Sequence, residues 1–135
     1  MGKYAVSVVW QKKPGESFLD NKYSRAHVWS LDGGMDIVAS SSPHIVPVPM
    51  SVTEAIDPEE AFVASIASCH MLWFLSIASE RQFVVERYDD PAVGTLGKNA
   101  AGKLAMTELT LNPRVKFSGD VLPSPACQGP LYSPV

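Results

Sequence analysis

The fold is decided by one continuous apolar stretch, AFVASIASCHMLWFLSIA at residues 61–78. It follows Asp57-Pro58-Glu59-Glu60, which has the features of a helix start. Asp57 can cap the first turn, Pro58 suits the first helical position, and Glu60 completes a capping box. Because nearly every following residue is apolar or small, on all sides of the helix, the pattern predicts a central, buried helix.

Six stretches rich in β-branched and aromatic residues predict strands on either side of this helix. They cover residues 4–11, 27–31 and 35–40 before it, and residues 83–88, 92–97 and 104–117 after it. Pro113 indicates that the last strand is an edge strand or is bulged. Segment 41–50 carries three prolines and predicts an extended connection.

The predicted fold class is α+β, an antiparallel sheet with a central buried helix. We expect one domain over residues 1–120, followed by an irregular tail over residues 121–135 that is rich in proline. One sheet cannot cover a helix that is apolar on all sides, so the sequence predicts a second copy of the chain against the free helix face.

Composition excludes several classes of protein. The chain has 135 residues and a net charge of −3, and it lacks the clustered Lys and Arg that a nucleic-acid partner requires. We expect no signal peptide, because the N-terminal apolar run ends at Gln11-Lys12-Lys13, and no membrane span, because the apolar helix is short and well capped. Two cysteines without an export signal indicate a reducing compartment and a cytoplasmic protein. The spacing of His and Cys fits no zinc site, and no cofactor motif is present.

Cys69, in the middle of the predicted helix, is the candidate for chemistry. One interpretation is a small buried hydrophobe, and the other is a reactive thiol, which needs a nearby cation to stabilise the thiolate. Arg25, at the entry of the second strand, is either a solvated strand end or that cation. Glu59 also has two interpretations. Its carboxylate either stabilises the helix by interacting with the positive end of the helix dipole, or holds Arg25 in a bidentate pair. It lies ten residues from Cys69, about 15 Å along a helix, so it can act only through Arg25 or at a second subunit's site.

Several stretches resemble the OsmC/Ohr family of osmotically inducible protein C and organic hydroperoxide resistance proteins, most closely its OsmC-like branch. The likeness runs over about residues 4–120, and it rests on four segments: Tyr23-Ser-Arg-Ala-His27, Ala39-Ser-Ser-Ser-Pro43, Asp57-Pro-Glu-Glu-Ala-Phe62 and Ala64-Ser-Ile-Ala-Ser-Cys-His-Met71. The resemblance implies an intertwined homodimer with its sites at the interface. It implies that Cys69 is the peroxidatic thiol, that Arg25 activates it and that Glu59 holds the arginine.

The resemblance implies a cysteine peroxidase that reduces organic hydroperoxides in defence against oxidative stress, with a dithiol such as dihydrolipoamide as reductant and without a cofactor. Phe62, Ile66 and Trp73 are the apolar residues expected to favour bulky substrates. The family's second long helix, with a resolving cysteine, is missing after residue 120, and Cys127 stands in the wrong context for that role. We therefore expect a truncation or a frame shift near residue 126. Two alternatives stay open, a non-enzymatic or impaired protein that keeps the fold, and a module that binds a small apolar ligand.

Overall fold

The computed structural model describes residues 2–123. Within them, the chain forms one helix and seven strands, which confirms the α+β class. Most of the predicted tail, including Cys127, lies outside these residues. The elements in chain order are β1 (Val6–Val9), β2 (His27–Leu31), β3 (Asp36–Ala39), α1 (Pro58–Glu80), β4 (Val84–Asp89), β5 (Val93–Lys98), β6 (Leu104–Thr110) and β7 (Arg114–Ser118).

The strands form three antiparallel sheets in the described part of the chain, which corrects the prediction of a single sheet. Their strand orders are β1-β2-β3, β4-β7 and β5-β6. The predicted long strand over residues 104–117 is in fact two strands, β6 and β7, and they pair with different partners. Pro113 lies between them and is fully buried. A proline has no backbone N–H to donate, so the ladder of β6 cannot continue through it.

The start of α1 is the predicted capping box. The Asp57 carboxylate accepts a hydrogen bond from the Glu60 amide at 2.8 Å, and the Glu60 carboxylate accepts one from the Asp57 amide at 3.3 Å. The helix ends in a Schellman motif. Gln82 has a positive φ of 67°, its amide donates to Ser79 O, and the Phe83 amide donates to Ala78 O at 2.9 Å. Both ends are therefore closed by local hydrogen bonds.

The single chain buries α1 only in part. Its buried residues are Phe74 and Ala78, whereas Leu72 and Trp73 are 59% and 67% exposed. The strands of one chain cover only part of the helix surface, and its full burial by a second copy stays a prediction. In addition, α1 has 23 residues and, by length and composition, is long and apolar enough to cross a membrane. The core helices of soluble proteins pass the same test.

The chain divides into two compact units within the first turn of α1, one that ends at Ala61 and one that begins at Phe62. The first contains the sheet β1-β2-β3, which is joined to the helix start by a parallel bridge between Ala39 and Ile56. The second contains most of α1 and the other two sheets. The predicted extent of one domain over residues 1–120 stays a prediction.

Candidate thiol site

Cys69 is a free, exposed cysteine on α1. Helical spacing places Phe62, Ile66 and Trp73 on its face, because they lie seven and three residues before it and four after it. These three side chains are 49%, 37% and 67% exposed. The structure therefore brings the predicted thiol and the predicted pocket residues onto one apolar helix face, which is open in the single chain.

The β5–β6 hairpin comes close to the first half of this helix at Gly94. A Cβ added at Gly94 of β5 would lie 2.5 Å from Val63 Cγ2 and 2.8 Å from Met106 Sδ. Only a residue without a side chain permits this approach, since such distances are well inside van der Waals contact. Gly94 thus lets the hairpin approach the helix at Val63, six residues before Cys69.

The side chain of Arg25 is held by its own loop. The Arg25 guanidinium donates to Tyr23 O, to Asn21 O at 3.2 Å and to Asn21 Oδ1 at 3.0 Å. It also lies over the Tyr23 ring, with Cζ 3.7 Å from the ring centroid. The backbone amide of Arg25 donates to Met50 O at 2.8 Å. Because its N–H groups donate hydrogen bonds and it lies over the face of the Tyr23 ring, the guanidinium has a defined position in the first unit.

An aromatic cluster orders this loop. The rings of Phe18 and Tyr23 stack at 4.6 Å, and Trp10 meets Tyr23 edge-on at 5.5 Å. Trp10 Nε1 donates to Ser24 O, and the Glu16 carboxylate accepts from the Ser24 amide, both at 2.9 Å. This cluster was not predicted from the sequence. The feature that could have revealed it is the set of three aromatic residues, Trp10, Phe18 and Tyr23, in the segment before Arg25.

Glu59 is half-buried in the first turn of α1. Burial raises the pKa of its carboxyl above the ordinary value, the charge of Asp57 adds to the rise, and its own backbone amide opposes it. Among residues 2–123, the one ion pair within 4.0 Å joins Arg87 to Asp89. Arg25 and Glu59 are therefore not paired within one chain, and their pairing across two chains stays a prediction. No cluster of His, Cys, Asp or Glu that could hold a metal ion occurs in the same residues.

The family model for OsmC-like protein matches residues 51–124. This span is more than half of the chain, and it contains the capped helix start, Glu59 and the whole face around Cys69. The chain belongs to the OsmC-like family. Arg25 lies before the matched span, so its role in this OsmC-like protein rests on the resemblance of the upstream segment.

Solved structures agree with this membership. An OsmC-like protein of unknown function from Vibrio cholerae O1 biovar eltor strain N16961 is 52% identical, with a TM-score of 0.94 over 98% of this chain and 86% of that chain. An OsmC-like protein from Mycoplasma pneumoniae has 15% identity and a TM-score of 0.62, over 88% of this chain and 72% of that chain. The second likeness shows the fold alone. The chain matches none of the curated proteins.

Proposed function

We propose that this OsmC-like protein is a cytoplasmic thiol peroxidase that reduces organic hydroperoxides to alcohols in defence against oxidative stress. The observation that carries the proposal is the exposed Cys69 thiol on a helix face with Phe62, Ile66 and Trp73. A reactive cysteine must be accessible to its substrate, whereas a structural cysteine is usually buried. The apolar neighbours favour a peroxide with an organic body over hydrogen peroxide.

The reaction begins with attack of the Cys69 thiolate on the distal oxygen of R–O–O–H. The O–O bond breaks, two electrons pass from sulfur to the peroxide, and the alkoxide takes up a proton to leave as the alcohol. Cys69 becomes a sulfenic acid. Arg25 is the proposed cation that stabilises both the thiolate and the developing alkoxide.

The active assembly is proposed to be an intertwined homodimer. The single chain leaves much of the apolar surface of α1 open, and exposed apolar surface of this kind is typical of an interface. The Cys69 sites are proposed to lie at this interface and to stay open to the substrate. In the dimer, Glu59 is proposed to hold Arg25 in a bidentate pair, which the single chain does not form. Sedimentation at micromolar concentration tests the assembly, and a stable, folded monomer would contradict it.

Recycling is proposed to use an external dithiol such as dihydrolipoamide. The first thiol of the reductant attacks the sulfenic sulfur and releases water, and the second thiol then frees Cys69 as the reductant becomes a disulfide. We assign no resolving role to Cys127, because the sequence around it has no helical pattern and differs from the motif that the family resemblance implies. Turnover with dithiols is therefore expected to be weak.

One equivalent of cumene hydroperoxide tests the chemistry directly. We expect dimedone to label Cys69 as a sulfenic acid, in wild type and in Cys127→Ser, and we expect no label at that position in Cys69→Ser. A dominant disulfide between Cys69 and Cys127 would make Cys127 a resolving residue. A folded wild-type protein that leaves the peroxide intact would refute the peroxidase and favour a protein that keeps only the fold.

A further inference from the structure

The second half of α1 lines a partly open cavity in the unit that begins at Phe62. Its volume is about 190 Å³. The helix contributes one face to it, from His70 through Phe74 and Ala78 to Arg81, and Phe83 and Phe117 close the other side. These helix positions are spaced by four, four and three residues, so they lie on a single stripe. Trp73 lines the cavity as well, whereas Cys69 does not.

Aromatic side chains that contact one another form much of the cavity wall. The ring of Phe117 lies 6.3 Å from that of Phe74 and 6.4 Å from that of Phe83. The Schellman motif at the end of α1 holds Phe83 against Ala78, which is 5% exposed. An engineered apolar cavity of about 150 Å³ accommodates benzene, so this cavity suits a body of about one six-membered ring.

One polar group at the cavity indicates the class of ligand. Arg81 is exposed where it lines the cavity, and it forms no ion pair within residues 2–123. A guanidinium beside an apolar cavity is complementary to a carboxylate.

We propose that this cavity binds a small apolar carboxylate, with a ring-sized body among the aromatic side chains and the carboxylate at Arg81. The cavity shares Trp73 with the proposed peroxide pocket, but Cys69 does not line it. The proposed ligand would therefore bind beside the thiol without contact to it.

The test is a titration of the full chain with 3-phenylpropionate and, in parallel, with the neutral 3-phenylpropanamide. We expect the acid to bind about 10-fold more tightly than the amide, since only the acid forms a charge-assisted pair with the guanidinium. The Ala78 methyl signal should shift in the NMR spectrum with either ligand. Arg81→Met keeps an apolar stem and should remove the preference for the acid.

The matched control is Arg87→Met, which removes a cation that pairs with Asp89 at the exposed surface. It should retain the preference, as should Cys69→Ser, which also separates this site from peroxide reduction. An unperturbed Ala78 methyl at millimolar ligand would overturn the proposal. Equal affinities of wild type for the acid and the amide, or an unchanged preference in a folded Arg81→Met, would overturn it as well.

Discussion

The guanidinium carbon of Arg25 lies 3.7 Å from the centroid of the Tyr23 ring, so the proposed activating cation is seated on an aromatic face. Phe18 stacks on the same ring. A cation over a ring face is stabilised by about 0.5–1 kcal/mol at an exposed site. We therefore expect the aromatic cluster to position Arg25.

Loss of the Tyr23 ring should loosen Arg25. We predict that Tyr23→Leu slows the oxidation of Cys69 by cumene hydroperoxide by about 2- to 5-fold, the rate equivalent of one cation–π contact. Tyr23→Phe keeps a ring face and should react close to the wild-type rate. Tyr4→Leu is the control, since Tyr4 is 94% exposed. Stopped-flow kinetics measure the rate of Cys69 oxidation in each variant. A wild-type rate in Tyr23→Leu would refute the supporting role of Tyr23.

Removal of the cation itself should have a larger effect. Arg25→Ala is predicted to slow the oxidation of Cys69 by about 100-fold or more, because a preorganised donor at the developing charge is lost. Glu59→Gln should slow it less, since Glu59 is proposed to act through Arg25. The fold should be intact in both, as judged by circular dichroism. If Arg25→Ala reacts as fast as the surface variant Arg87→Ala, the activating residue is another one.

The helix cap should contribute measurably to stability. Asp57→Ala removes the acceptor of the Glu60 amide and is predicted to lower the free energy of unfolding by about 1–2 kcal/mol. Thr53→Ala changes an exposed residue in the turn before the helix and should stay within about 0.5 kcal/mol of wild type. Urea unfolding curves measure both. Equal midpoints for the two variants would show that the cap adds nothing.

Because Gly94 lies close to Val63 and Met106, we predict that a larger residue at this position destabilises the protein. Gly94→Ala places a methyl group against Val63 and Met106 and should destabilise the protein by about 1–3 kcal/mol. Gly33→Ala is the matched control, because a Cβ there meets nothing within 4 Å. Thermal melting distinguishes the two. A Gly94→Ala variant as stable as Gly33→Ala would mean that the hairpin moves away from the helix without cost.

We predict that the ionisation of Tyr88 lowers the stability of the folded protein at alkaline pH. Burial raises the pKa of its phenol above the ordinary value of 10.0, and the charge of Asp90 adds to the rise. The unfolded chain then loses this proton at a lower pH than the folded chain. The stabilisation is complete below about pH 10 and is lost as pH rises through the raised pKa.

The expected result is that the wild type loses stability more steeply than Tyr88→Phe between about pH 9 and pH 11. Urea unfolding at successive pH values measures the slope. Tyr4→Phe serves as the control, because its side chain is 94% exposed, and it should follow the wild type. Parallel slopes for wild type and Tyr88→Phe would contradict the assignment.

Local patterns in the sequence predicted several elements well. The capping box formed as predicted because its partners, Asp57 and Glu60, lie three residues apart in the chain. Strand β2 occupies the predicted residues 27–31. The prediction of one strand over residues 104–117 was wrong because tertiary structure places Pro113 in a buried break and sends the two halves to different partners.

By itself, the sequence determined the helix, its first cap and the apolar face around Cys69, since these follow from a period of 3.6 residues and from contacts within one turn. Only the tertiary structure decided that Arg25 rests on Tyr23, that this face is open in one chain, and that Phe117 meets Phe74 to form a cavity. The Phe74–Phe117 contact joins the helix to a strand, and the Arg25–Tyr23 contact depends on the conformation of a loop. Their geometry depends on how loops close and sheets pair, which no local period specifies.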